Sequence, residues 1–252
     1  MAPYFDLSVG SGDSEETIKL AKRLGWTGIC LTADVKDLKT VREGITAHDW
    51  DMDILLGAVV HGSSEGDLQK KTRQALDIAD LILFSGGGEP NRVAAENWEV
   101  DVLCHPERGS ERDLMDQRSS GVDDIICRLL AEHTTAIEFN LSSLLGTYGM
   151  LRAQVMGRMT QNIMLARKYG VPMVLTSGAV NRWGLRAPRD LAAVGRVLGM
   201  TQTESKKAVS SAPQKLIQKA KNRQDPNVLT AGLTVLDWGT QTKQNKKRYG
   251  WY

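Results

Sequence analysis

Short, almost unbroken apolar runs recur along the chain, and each is followed by a stretch whose apolar positions repeat at helical spacing. Tyr4–Leu7, Gly28–Thr32, Ile54–Val60, Leu81–Phe84, Asp101–Cys104, Ala136–Leu141 and Pro172–Thr176 read as seven strands. Strands that are apolar on both faces belong in a parallel sheet covered by helices, since a half-wet sheet would alternate. Asp13-x-x-Glu16 has capping-box spacing for a helix that runs to Leu24 and stops at Gly25. Further helices are expected from about Asp34 to Glu43, from Ser64 to Ala79, after Gly86-Gly87-Gly88 through Glu96, before the sixth strand, and over Leu151–Lys168. Beyond Arg189 the pattern is wholly helical, over 189–198, 203–210 and 213–223. The expected fold is α/β, a TIM-like barrel of about seven parallel βα units with extra C-terminal helices. No eighth strand is legible, so the barrel should be incomplete or distorted. A nicotinamide-binding sheet is set aside, because the glycine fingerprint it needs is missing.

At 252 residues and 41% hydrophobic, the chain can build one sizeable core, assigned to residues 1–235. No apolar run approaches the ~20 residues of a membrane span. The start, MAPYFDLSVG, lacks the pattern of an export signal, so a cytoplasmic location and no membrane are expected. Cys30, Cys104 and Cys127 are odd in number and lack C-x-x-C spacing, which suits reduced thiols. Net charge is only +2 but polarised: from Lys206 onward ten Lys or Arg face two acids (+8), leaving 22 basic and 28 acidic residues before it (−6). A basic end on an acidic body points to a polyanionic partner, although a solubilising end has the same composition. The basic and aromatic tail, 236–252, holds Lys243, Lys246, Lys247 and Arg248 beside Tyr249, Trp251 and Tyr252. Cations mixed with stacking aromatics suit single-stranded or irregular RNA, and also suit a disordered end.

Barrel active sites form where strands end, and two chemistries compete there. One gathers Asp6, His61, His105 and Glu138 around a metal ion that activates water for phosphoester attack. Against it, the chain has neither His-x-His nor H-E-x-x-H spacing, and His48 and His133 fall in helix or loop contexts. The other uses guanidinium groups, which grip phosphate bidentately and stay charged. Arg108, Arg112 and Arg118 follow the fifth strand and Arg182, Arg186 and Arg189 the seventh, a ring at one mouth, with Arg92 beside the triple glycine. The alternative for each is an ion pair with Glu107, Glu111, Asp113, Asp116 or Asp190. Cys104 and His105 are neighbours on a strand and point apart, so a thiol nucleophile is disfavoured. Gly86–Gly88 is either a phosphate-holding turn, with Asn91 and Arg92 beside it as further phosphate contacts, or simply a tight one that needs positive φ. Met150, Met156, Met159 and Met164 are assigned to core filling.

Taken in order, FDLSV, SGGGEPNR, DVLCHPERG, SSGVDDIICRLLAEHTTAIEFNLS, PMVLTSGA and LRAPRDL resemble the protein component 3 family of archaeal ribonuclease P over about residues 3–225. That family is similar in fold to the polymerase and histidinol phosphatase (PHP) domain, a TIM-like barrel of metal phosphoesterases. Where PHP enzymes end their first strand in His-x-His, this chain has Asp6-Leu7-Ser8, and later it offers Asn140 and Ser177 where ligands would stand. The resemblance implies a barrel that has lost its metal and become a binding surface, with no cofactor of its own. It implies a protein subunit that, with protein component 2 and other ribonuclease P proteins, stabilises a catalytic RNA. That RNA uses magnesium to remove the 5′ leader of precursor tRNA, which this chain would meet only indirectly. Arg92, Arg108, Arg112, Arg118, Arg182, Arg186, Arg189 and the tail cluster Lys243, Lys246, Lys247 and Arg248 are the expected RNA contacts, with an independent PHP-type phosphoesterase as the alternative.

Overall fold

A computed structural model of the chain describes residues 3–110, 112–113, 115–230 and 232–240. The elements alternate as β1 (Phe5–Gly10), α1 (Ser14–Leu24), β2 (Gly28–Asp34), α2 (Leu38–Thr46), β3 (Asp53–Val60), α3 (Glu65–Leu76), β4 (Leu81–Ser85), α4 (Pro90–Glu96) and β5 (Val102–Cys104). Then come α5 (Asp124–Glu132), β6 (Ala136–Asn140), α6 (Leu141–Leu145), α7 (Gly149–Tyr169), β7 (Met173–Thr176), a 3-10 turn at Arg182–Gly184, α8 (Pro188–Val197), α9 (Gln202–Ala208) and α10 (Ser211–Gln224). A small hairpin, β8 (Val228–Thr230) and β9 (Leu233–Thr234), follows. The strands pair in chain order from β1 to β7, all parallel. The seven-unit barrel expected from the apolar runs is the one observed. Its closure is slender: β7 meets β1 through one bridge, Val9 to Ala179, where the Gly10 amide donates to the Ala179 carbonyl at 2.7 Å.

Two apolar layers follow from the strand pleat. Outward-facing residues such as Ile29, Leu56, Ile82, Phe84, Ile137 and Phe139 pack beneath the helices. Inward-facing Phe5, Leu7, Cys30, Leu83, Val102 and Val174 fill the barrel, and Leu216, Ile217 and Ala220 of α10 plug its N-terminal end. The plug is also tied by charge. Arg223 forms a buried ion pair with Asp101, and its guanidinium donates to the carbonyls of Glu99 (3.3 Å) and Asp80 (3.2 Å). Lys219 stands 3.5 Å from the same carboxylate. A carboxylate buried this deeply needs such partners, since removing one costs about 3–5 kcal/mol.

Local details depart from the pattern in three places. Asp13 makes no side-chain cap to α1, so the expected capping box does not form, while Gly25 does close the helix at φ 92°. The box is found instead on α9, between Thr201 and Glu204. Of the four methionines assigned to the core, Met159 is buried and Met156 packs against it, but Met150 and Met164 are exposed. Their helix has no clean apolar stripe, so position along it did not decide burial. Among the described residues, no helix is long and apolar enough to cross a membrane.

At the seam where β1 meets β7, Asp6 is wholly buried. Its carboxylate accepts the backbone amides of Ser177 (3.2 Å to each oxygen) and Ser8 (3.2 Å). Burial outweighs those bonds and raises its pKa from 3.8 to about 7. A carboxyl held protonated in the fold favours the fold most at low pH, below its unfolded value. That contribution is lost as pH rises from about 4 to about 7, and amounts to on the order of 4 kcal/mol at most. Asp6→Asn keeps an acceptor for Ser177 and cannot ionise. Urea midpoints should therefore fall for the parent relative to the variant between pH 4.5 and 7.5, whereas a constant difference would mean that Asp6 titrates normally.

Candidate nucleic-acid interface at the barrel mouth

The strands' C-terminal ends form the mouth, and its most built-up part is the loop from His105 to Gly121. The loop starts with a sharp change of direction, as His105 adopts φ 50°, a left-handed value rare for a residue with a side chain. Its fold is set by side chains reaching in from two helices. Asn91 at the start of α4 donates to the carbonyls of Pro106 (3.0 Å) and Gly121 (2.8 Å) and accepts the Gly87 amide (2.7 Å), joining both loop ends to the triple-glycine turn. Gly121 has φ 79°, and a Cβ there would lie 1.8 Å from the Pro106 oxygen, so only glycine fits. From α7, Arg158, only 4% exposed, donates to Asp113 (2.7 Å) and to the carbonyls of Glu107 (3.1 Å) and Ser110 (2.9 Å). One turn on, Asn162 donates to the Ser120 carbonyl (3.0 Å), and Gln161 exchanges bonds with the backbone of Arg118. Burial pushes the Asp113 carboxyl up, but bonds from Arg158 and the Ser119 amide outweigh it and hold it below the usual carboxylate range.

The four residues weighed as metal ligands do not converge. His105 approaches Glu138 at 3.9 Å and Glu107 at 4.0 Å, and its Nδ1 lies 3.0 Å from the Ser143 hydroxyl. Glu138 is engaged inward, accepting from Thr176 (2.6 Å) and Asn140 (3.1 Å). Asp6 is spent on backbone amides in the seam. His61 is exposed on the far side of the triple-glycine turn, lining a shallow cleft with Ser85, Gly86 and Gly87. Among the described residues, no three His, Cys, Asp or Glu side chains are grouped to hold a metal ion. Burial pushes the Cys104 thiol well above its ordinary value, against a nucleophilic thiolate. The triple glycine takes the tight-turn form, with φ 141° at Gly87 and 70° at Gly88.

The arginines expected as one ring divide into three groups. Arg108 and Arg112 are exposed on the pinned loop and have no carboxylate partner among the described residues; Arg108 makes one long bond, 3.4 Å, to Ser143. Arg118, Arg92 and Arg182 are exposed to varying degrees but ion-paired, with Asp113 (3.6 Å), Glu96 (3.1 Å) and Glu16 (3.1 Å). Arg118 also lies flat on Gly157, and Arg182 covers one face of exposed Trp183 at 5.0 Å. Arg186 and Arg189 do not belong to the mouth's free surface. Arg186 turns back onto the carbonyls of Trp183 and Leu185 (2.8 Å each), which shapes its own turn, and Arg189 lies on the flank of α8 beside Tyr4 and Lys206. Lys243, Lys246, Lys247 and Arg248 fall outside the described residues.

Charge at strand ends could not single out Arg158, because it does not follow a strand directly, and Asn91, weighed with Arg92 as a phosphate contact beside the triple glycine, is instead buried on backbone groups. A signal exists in the pattern: Arg158 and Asn162 stand four apart on the buried face of α7 beside Met159 and Ile163, and polar residues there must have buried partners.

Comparison with known proteins shows the family. The family described as RNase P subunit p30 matches residues 3–225. Ribonuclease P protein component 3 of Methanococcoides burtonii is 31% identical over 242 residues, covering 93% of this chain and 94% of that protein. The same component of Methanosarcina acetivorans is 32% identical, covering 91% and 93%. Among solved structures, a chain in the cryo-EM structure of archaeal ribonuclease P with mature tRNA superposes with a TM-score of 0.77 at 26% identity, covering 93% of this chain and all of that one. A barrel of matching topology, matched by the family over residues 3–225 and by relatives over more than nine-tenths of its length, belongs to the RNase P subunit p30 family.

Proposed function

We propose that this chain is a non-catalytic protein subunit of ribonuclease P, assisting a catalytic RNA in removing the 5′ leader of precursor tRNA. The observation that carries the reading is the pinned loop. It projects Arg108 and Arg112, which pair with no carboxylate among the described residues, from a mouth where no three potential metal ligands are grouped among those residues. Guanidinium groups stay charged and neutralise phosphates that would otherwise repel one another. Protein component 2 and other ribonuclease P proteins are the expected partners in this assembly, and magnesium would be held by the RNA, with none needed by this chain. Precursor tRNA would be met through the RNA.

Contact residues and positioning residues separate in a salt titration. Replacing Arg108 and Arg112 together by Gln should lower the salt slope of binding to ribonuclease P RNA by about 1–2, at ~0.7–0.9 per phosphate contact. An unchanged slope would remove both from the interface. Arg158→Met should act differently, because Arg158 orients the loop without facing solvent. We expect a loss of about 3 kcal/mol in chemical unfolding, from two carbonyls left unpaired and an Asp113 deprived of its shortest bond. RNA affinity should drop while the slope stays near that of the parent; full stability in this variant would contradict the pinning role.

A further inference from the structure

The opposite end of the barrel carries a second concentration of positive charge. Residues 205–224 contain Lys206, Lys207, Lys215, Lys219, Lys221 and Arg223 and no acid. Lys219 and Arg223 are used internally, on buried Asp101. The other four are exposed, and among the described residues none pairs with a carboxylate.

These cations surround a ridge. Helix α9 stands between two grooves, one of about 760 Å³ with Lys207, Lys215, Gln218 and Asn222 on its walls. The other, about 370 Å³, is lined by Arg189, Arg196, Gln202 and Lys206. Pro172 and Met173 line the first and Tyr4 the second, so both open at the N-terminal ends of β7 and β1, away from the mouth. The acid lining the first groove, Glu204, is already taken: Arg167 holds it with two bonds (2.7 and 2.8 Å), and the Thr201 amide donates to it at 2.7 Å. Asp190 adjoins Arg189 in sequence but forms no ion pair with it among the described residues. A merely solubilising surface mixes both signs. Here one sign lines both sides of a ridge, accompanied by side-chain amides, and this donor set suits phosphate and ribose oxygens.

We infer that α9 and its two grooves form a second contact for an RNA phosphate backbone, so that the chain grips separate RNA segments at the two ends of its barrel. This rests on the reading above only in taking RNA as the partner. It gives Arg189 a role at the end of the barrel where the structure puts it.

The test uses the full chain with Arg196, Lys206, Lys207 and Lys215 all changed to Gln, binding ribonuclease P RNA between about 50 and 200 mM salt. All four side chains are exposed, so the melting temperature should match the parent. The salt slope should fall by about 3, at ~0.7–0.9 per phosphate released. The loss should add to that of Arg108→Gln with Arg112→Gln, because the two faces do not touch. An unchanged slope here, with a reduced slope in the mouth variant, would overturn the second contact and leave the ribonuclease P reading intact. A parent chain that binds the RNA with no salt dependence would overturn the reading itself. Tethered cleavage provides an independent check, since Cys30, Cys104 and Cys127 are all buried. An iron–EDTA probe on Ser211→Cys, in the first groove, should cut different nucleotides from a probe on Met115→Cys, on the mouth loop. Cuts from Met115→Cys with none from Ser211→Cys would refute the inference, including the case in which an acidic protein covers α9 instead.

Discussion

One buried guanidinium decides what the mouth of this barrel can present. The loop between β5 and α5 contains several charges and little apolar surface, so it has no core of its own to hold it in shape. Arg158 supplies the missing constraint from α7, binding a carboxylate and two carbonyls of the loop at once. A flat, multidentate cation suits this task, since lysine could not satisfy three acceptors in one plane. Asn91 does the corresponding work from α4, closing the loop's two ends against the triple-glycine turn. With the loop backbone held from both helices, Arg108 and Arg112 stand on its outer surface.

The same division of labour runs through the barrel. Polar groups that would be ligands in a hydrolase are spent on structure: Asp6 on the β1–β7 seam, Glu138 on Thr176 and Asn140. The interior is completed by apolar side chains and by α10, whose two innermost cations answer Asp101. Charge left over is displayed at the two ends, as guanidinium groups on the mouth loop and as lysines and arginines about α9. A protein of net charge +2 can therefore meet a polyanion, because its positive charge is gathered into patches instead of being spread evenly.

The barrel was legible because its signal is physical and repeated. Strands buried on both faces must be apolar throughout, and seven such runs could hardly be arranged otherwise than in a parallel sheet. The weak closure was legible too, in the missing eighth strand. The placement of the site's side chains was less legible. Among the described residues Arg108 and Arg112 have no carboxylate partner, whereas Arg118, Arg92 and Arg182 pair with acids in the same loop, one helical turn away and across the fold. Arg186 and Arg189 follow a strand yet are carried away by the turn at 182–184, whose path no local pattern encodes. Asp13 carried the capping motif without the geometry, since that depends on the backbone angle at which the chain enters the helix. Partners across space, not residue types along the chain, decide which of these arginines carry an ion pair.

The central claim, that this barrel assists an RNA catalyst and does no chemistry itself, is tested most directly by precursor-tRNA cleavage at limiting magnesium. Ribonuclease P RNA and protein component 2 are combined with and without this chain, and the protein is also assayed without the RNA. The account predicts accurate 5′-leader removal that rises when the chain is added and vanishes when the RNA is omitted. Cleavage by the protein without the RNA, or no stimulation by folded protein, would contradict it.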